Sequence, residues 1–496
     1  MVKIPCFFNI SEDFYNGLFT GAIFADCRYN RALNLARIRF AIPPYISPKA
    51  RHVLSTKIAI KCDLLIEAKW TIPVVPEGLV LEHHAVVIHD KKIIAILPAH
   101  QARQEYPATQ KVILPEHALI PGLINAHGHS PMTLFRGIAD DIPLKQWLEQ
   151  HIWPLEGRFA DEKFVFDGSK HAIAEMISSG TTCFADMYFF PDQVAKAALE
   201  SGLRVQLASP VLDFPTPWAQ DADEYIAKAT QLHDDFRNNE FIYTAFGPHA
   251  PYTVSDAPLR KLATLAEEMD VPIHIHIHET AIEVAEALAT DGRRPLQRLA
   301  DLGIISPRLL CVHATQLSEA EIQMLGALGS SVLHCPESNL KLASGFCEVA
   351  KLLKKNVNVA LGTDGGASNN DLDMFSEMRT AALLAKAVAA DASALPAARA
   401  LTMATFNGAR ALGLDSKIGS LEVGKYADIT AISLQDINSS PVYNPISTLV
   451  YAVTAAQVTH VWCAGKALLA NRELQTLDRA RILHATQTWR QKIASA

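Results

Sequence analysis

Residues 272–280 read Pro-Ile-His-Ile-His-Ile-His-Glu-Thr. Side chains on a strand alternate between its two faces, so His274, His276 and His278 share one face and the three isoleucines the other. Imidazoles aimed together from one strand suit a metal site or a buried hydrogen-bond network, and the stretch alone does not choose between them.

The sequence on either side supplies the fold. Short β-branched runs alternate with longer amphipathic segments. The runs are 118–124, 182–187, 204–212, 241–246, 273–277, 309–312, 332–334 and 357–361, with helical patterns between them such as 259–269 and 376–390. Eight strands interleaved with helices predict an α/β chain folded as a parallel (β/α)8 TIM-like barrel. An open doubly wound sheet would carry G-x-G-x-x-G after its first strand, and none is present. The barrel is expected over 119–418. Short antiparallel-type strands in the two flanks, 56–118 and 419–475, predict a small β-sandwich domain built from both ends. A C-terminal helix is expected over 476–496, and residues 1–55 form an extension to which no chemistry is assigned.

Composition narrows the classes. The chain has 496 residues, 49% of them hydrophobic, enough for a large core. A net charge of -7 gives no electrostatic footprint for nucleic acid. No apolar run approaches the roughly 18 residues that cross a bilayer, so no membrane partner is expected. Eight scattered cysteines form no C-x-x-C pair and read as reduced, buried thiols of a cytoplasmic protein. The P-C-x-x-C signature of one zinc deaminase class is absent.

Catalytic groups of such barrels sit at the C-terminal ends of the strands. The first run leads into Pro121-Gly-Leu-Ile-Asn-Ala-His127-Gly-His129. The two imidazoles of an H-x-H on a strand point the same way and can ligate one divalent metal at ~2 Å each. The fourth run ends at His249, the sixth at His313 and the eighth at Asp364. Three histidines with one carboxylate make a zinc or ferrous-iron set that leaves a position open for water. A bridging modified lysine on the fourth strand would allow a second metal, but 241–249 contains no lysine. One metal is therefore expected.

The motifs P-G-x-x-x-x-H-x-H, G-P-H-A-P-Y, H-x-x-E, H-C-P-x-S-N and G-T-D-G occur in this order at 121–129, 247–252, 276–279, 334–339 and 362–365. On them the chain, from about 58 to 472, resembles the amidohydrolase superfamily. Within it the chain is similar to the 5-methylthioadenosine/S-adenosylhomocysteine deaminases, a group that also holds triazine hydrolases.

The resemblance implies that His127, His129, His276 and Asp364 hold one divalent ion, Zn2+ first and Fe2+ or Mn2+ next. It implies that Glu279 is the acid/base that protonates the ring nitrogen beside the amino-bearing carbon. His313 would orient and polarise the attacking water, and Asp364 would take its proton. Substrate would be bound by Glu156 at the ribose, His249 at the purine, Trp147 by stacking, and Glu279, Asp364, Ser338 and Asn339 along the pocket. His274 is then expected as a hydrogen-bonded barrel-interior residue, and His278 as a rim residue with substrate contact as the alternative.

The implied function is hydrolytic deamination of adenine nucleosides, methylthioadenosine or S-adenosylhomocysteine, to the inosyl product and ammonia, by a homo-oligomer. Two other readings compete: a triazine or guanine-type hydrolase on the same scaffold, and a metal-free structural barrel. One departure stands out. Relatives use arginines between the third and fourth strands for the homocysteine carboxylate, and Arg237 is the one arginine between Asp213 and His249.

Overall fold

The computed structural model describes residues 61–495. The predicted extension 1–55, with Cys6 and Cys27, lies outside the described residues. Four strands come first: β1 (Cys62–Thr71), β2 (Leu81–His89), β3 (Lys92–Pro98) and β4 (Ala108–Pro121). The barrel follows: β5 (Leu123–Asn125), with the two-residue β6 (Gly128–His129) beyond it, then β7 (Thr181–Asp186), β8 (Arg204–Val211), β9 (Ile242–Pro248), β10 (Ile273–Ile277), β11 (Leu309–His313), β12 (Ser331–His334) and β13 (Asn358–Leu361). β14 (Asp364–Gly365), β15 (Ile429–Ser433), β16 (Val458–Cys463), β17 (Lys466–Ala470) and β18 (Glu473–Leu474) complete the strands.

β5 and β7–β13 form one parallel sheet in the order β13-β12-β11-β10-β9-β8-β7-β5. Its ends meet through side chains and short backbone links. Asn125 donates to Thr363 Oγ1 (2.7 Å) and accepts from Thr363 N (2.9 Å). Ala126 N donates to Leu361 O at 2.9 Å, and β6 pairs with β14. This is the (β/α)8 barrel expected from the sequence.

The flanks meet in a single eight-stranded sheet, β18-β17-β16-β15-β4-β1-β2-β3, in which β15 pairs antiparallel with β4. Ile93 N→Lys425 O (2.9 Å) and Gly424 N→Ile93 O (2.8 Å) bring the β3 edge back to the segment entering β15. The predicted first strand, 118–124, is in fact two strands in two sheets, broken at Gly122. There Gly122 N donates to Asp428 O (2.9 Å), and a Cβ would lie 2.0 Å from Thr182 Oγ1. Only a residue without a side chain lets the chain pass from one sheet to the other here.

A buried ion pair fixes the flank sheet to the barrel. Arg204 of β8 and Asp428, just before β15, are 0% and 2% exposed at the side chain and pair at 2.8 Å. Asp428 Oδ1 also accepts from Ala464 N at 2.7 Å, and the guanidinium stacks over Tyr426. Removing one partner leaves the other charge buried and uncompensated. Asp428→Ala is expected to destabilise the protein by about 3–5 kcal/mol, read as a lowered denaturation midpoint. Arg204→Met in the same background should recover part of the loss.

The last helix, Arg479–Ala494, is capped by Asp478 and packs Trp489 against the barrel, its indole donating to Asp167 at 2.9 Å. Among the described residues six free cysteines are buried, and no helix is long and apolar enough to cross a membrane.

Candidate metal centre

The C-terminal ends of the barrel strands converge on one point. Single donor atoms from His127, His276, His313 and Asp364 all lie within 4.8 Å of one another. His127 Nε2 is 3.2 Å from His276 Nε2 and 3.3 Å from Asp364 Oδ1. His129 joins through Asp364, its Nε2 lying 3.2 Å from the same Oδ1. His129 is thus the member outside the four-way group, and His313 the member inside it.

What aims these rings is the partner of each Nδ1. His127 Nδ1 meets His274 Nε2 (2.8 Å), His129 Nδ1 meets Met187 O (2.6 Å), His276 Nδ1 meets His249 O (2.7 Å) and His313 Nδ1 meets Asn339 Oδ1 (2.8 Å). With Nδ1 engaged, each ring presents Nε2 to the common point, as outer partners of metal-bound histidines do. Asp364 is held likewise. Its Oδ2 accepts from Ser338 Oγ (2.6 Å) and Ser368 Oγ (2.7 Å), which leaves Oδ1 to the histidines. Nitrogen and oxygen donors so arranged fit one divalent zinc-, iron- or manganese-type ion.

Charge agrees with that fit. Burial holds the His127 imidazole down to about 4 and His276 well below its ordinary value, so both rings are neutral at pH 7, the form in which they could hold a metal. For His129 burial also pushes down, but the Asp364 carboxylate outweighs it and lifts the ring to about 9. Two of these positions, His313 (φ 68°) and Asp364 (φ 62°), adopt the left-handed backbone. Non-glycine residues there cost of order 1–3 kcal/mol each, and such strain collects at functional sites. Gly362 is needed beside them, because a Cβ would lie 2.7 Å from His127 N.

Glu279 stands next to the cluster, with Oε2 3.7 Å from His313 Nε2 and Oε1 3.4 Å from Ser344 Oγ. Burial raises its carboxyl. Thr280 caps the helix Ala281–Asp291, and the Glu283 carboxylate accepts from both His278 N (3.0 Å) and Glu279 N (2.7 Å), fixing the turn that carries Glu279.

A cavity of about 240 Å³ opens over the cluster. Glu156, Trp147, His249 and Glu279 are on its wall, as are His129 and Asp364. The short helix Leu144–Trp147, a π-turn at Leu148–Ile152 and the helix Trp153–Phe159 place Trp147 and Glu156 there. Burial pushes the Glu156 carboxyl up to about 7.

Three expectations need correction. Ser338 and Asn339 are 0% and 1% exposed and engage Asp364 and His313, so neither lines the cavity. His278 is neither at the rim nor at the cavity. Its φ of 53° turns it out of the strand pattern, and its Nε2 accepts from Leu296 N at 3.0 Å inside the fold. His274 lies in the barrel interior, hydrogen-bonded to His127, as expected. Reading the sequence did not find Ser368, Glu283, the Met187 carbonyl or Tyr188. Tyr188 follows β7 and lines the cavity beside Glu156.

A parallel barrel with a histidine and aspartate cluster at its strand ends is the arrangement of metal-dependent hydrolases. Residues 118–468 match the amidohydrolase family model, and the chain belongs to that family. It is 52% identical over 431 residues to a 5-methylthioadenosine/S-adenosylhomocysteine deaminase of Saccharophagus degradans, covering 87% of this chain and 97% of that one. It is 44% identical over 374 residues to a 5'-deoxyadenosine deaminase of Methanothermobacter thermautotrophicus, covering 74% of this chain and 86% of that one. A crystal structure of an adenosine deaminase from Xanthomonas campestris with bound zinc superposes with a TM-score of 0.87 at 52% identity, covering 88% of this chain and 99% of that one.

Proposed function

We propose that the protein is a hydrolytic deaminase of adenine nucleosides, with 5'-methylthioadenosine as the favoured substrate and zinc as the native ion. One observation carries the reading: a buried carboxyl, Glu156, shares one cavity with Glu279 and the histidine–aspartate cluster. A carboxylate accepting from two vicinal hydroxyls recognises a ribose. The relatives named above support the same reading, and a homo-oligomer is part of it.

Bound at the cluster, a divalent cation supplies a Lewis-acidic centre at which water ionises near neutral pH. The chain does the rest. Glu156 and Trp147 hold the nucleoside, and His249, kept neutral by burial, offers the purine a hydrogen bond. Glu279 delivers a proton to the ring nitrogen beside the amino-bearing carbon, which makes that carbon electrophilic. His313 and Asp364 orient the water and receive its proton. The water oxygen adds to the carbon, and the amino group takes a proton and leaves as ammonia.

The cavity wall explains the preferred substrate. Among the described residues it contains no lysine or arginine. In the adjoining cavity of about 750 Å³, Lys145 pairs with Glu286 at 2.9 Å and Lys341 with Asp140 at 2.7 Å. Arg237 faces a different cavity and pairs with Asp234 at 3.8 Å. The carboxylate of a homocysteine tail would find no unpaired cation, at about 1–3 kcal/mol. Ammonia release from methylthioadenosine, adenosine and S-adenosylhomocysteine should therefore show S-adenosylhomocysteine at least about tenfold poorer in kcat/KM than methylthioadenosine. Glu156→Ala should abolish turnover of all three. Silence of the metal-loaded wild type on all three would overturn the reading.

A further inference from the structure

Tyr188 is 4% exposed, and its hydroxyl is buried. The hydroxyl interacts with the Glu156 carboxyl, but no hydrogen bond of ordinary geometry joins the two. A buried donor left unpaired costs about 1–3 kcal/mol, and natural folds leave few of them. Tyr188 belongs to the apolar core and also forms part of the cavity wall beside Glu156. Its ring packs at a tilt against Phe189, with centroids 5.3 Å apart.

We propose that Tyr188 is a sugar-reading residue, its hydroxyl donating to one oxygen of the ribose diol while Glu156 accepts from the diol's two O–H groups. The inference rests on the nucleoside reading above. The chemistry is complementary. A vicinal diol offers two donors and two acceptor oxygens. A carboxylate satisfies the donors and leaves the acceptors unmatched. A phenol beside the same carboxyl supplies the missing donor, and substrate in turn gives that hydroxyl an acceptor of good geometry. Ribose is then selected by two residues rather than one. A deoxy-sugar lacking the oxygen that Tyr188 reads leaves both the carboxylate and the phenol short of a partner.

Tyr188→Phe removes only the hydroxyl. Since that group makes no hydrogen bond of ordinary geometry in the free protein, the variant is expected to keep the metal content and a Tm close to wild type. The test compares adenosine, 2'-deoxyadenosine and 3'-deoxyadenosine in wild type and Tyr188→Phe. Adenosine should lose about tenfold in kcat/KM, mainly through a raised KM, because the bond is made in ground and transition state alike. One of the two deoxy-nucleosides should be unaffected by the substitution. Equal losses on all three substrates, or no loss on any, would overturn the proposal while leaving the deaminase intact. A wild type that releases no ammonia from any of them would instead overturn the nucleoside reading, and this inference with it.

Discussion

Glu279→Gln is expected to lower kcat/KM for the favoured nucleoside by about 10²–10⁴-fold, the usual contribution of a positioned acid/base group. The amide has the size of the carboxyl and can keep the contact with Ser344 Oγ. The backbone at 279 is fixed through its own N–H and carbonyl, by Glu283 and Thr315, and those bonds do not involve the side chain being changed. What the amide loses is the ability to give a proton to the ring and take one back. Glu279 is not among the four residues whose donor atoms cluster, so the variant should bind metal in the same stoichiometry as wild type. The measurement is ammonia release beside metal content on the same preparation. A loss under tenfold with metal retained would remove Glu279 from the proton path. Metal lost along with activity would make it a ligand instead.

The barrel was legible because its signals are local. Alternation of isoleucine and histidine over Ile273–Ile277 marks a strand with one polar face, and metal-capable residues recur at the ends of other runs. The split at Gly122 was not legible, since Ala118–Pro121 and Leu123–Asn125 read as one apolar run and only tertiary pairing divides them. Among three histidines of equal spacing, periodicity cannot choose. A positive φ at His278 removes that ring from the site, and no pattern of side chains announces a backbone dihedral there. Ser338 and Asn339 close the H-C-P-x-S-N motif, and the resemblance sets them along the pocket. Their hydrogen bonds to Asp364 and His313 put them one layer behind it. Tyr188 sits in the run Tyr188-Phe189-Phe190, which by composition looks like core, and β7 ends in no imidazole to draw the eye. A phenol hydroxyl becomes visible as chemistry only when the fold sets it beside a carboxyl such as that of Glu156 on a cavity wall.

Binding of a divalent ion to the metal-free protein at pH 8 is expected to release close to one proton, and that proton belongs to His129. Burial alone would push this imidazole down, but the carboxylate of Asp364, 3.2 Å from its Nε2, lifts it to about 9. Below that pH the ring carries a proton on the nitrogen the metal needs, since Nδ1 is engaged by Met187 O. His127 and His276 are held in the neutral form by burial and have none to give. Ligands must be deprotonated to bind, so acid competes with metal. The sign follows: affinity should rise about tenfold per pH unit up to about 9 and flatten above, as the last competing proton is lost. Manganous ion is the suitable probe, because it is the weakest binder of the first-row series and polarises its bound water least, so it adds the fewest protons of its own. Calorimetry in two buffers of different ionisation heat counts the protons directly. Asp364→Asn removes the group that raises His129, so the variant should bind more weakly and release no proton at pH 8. A wild type that releases none at pH 8, or an Asp364→Asn variant that still releases one, would show that the Asp364–His129 pair does not set the proton inventory of this site.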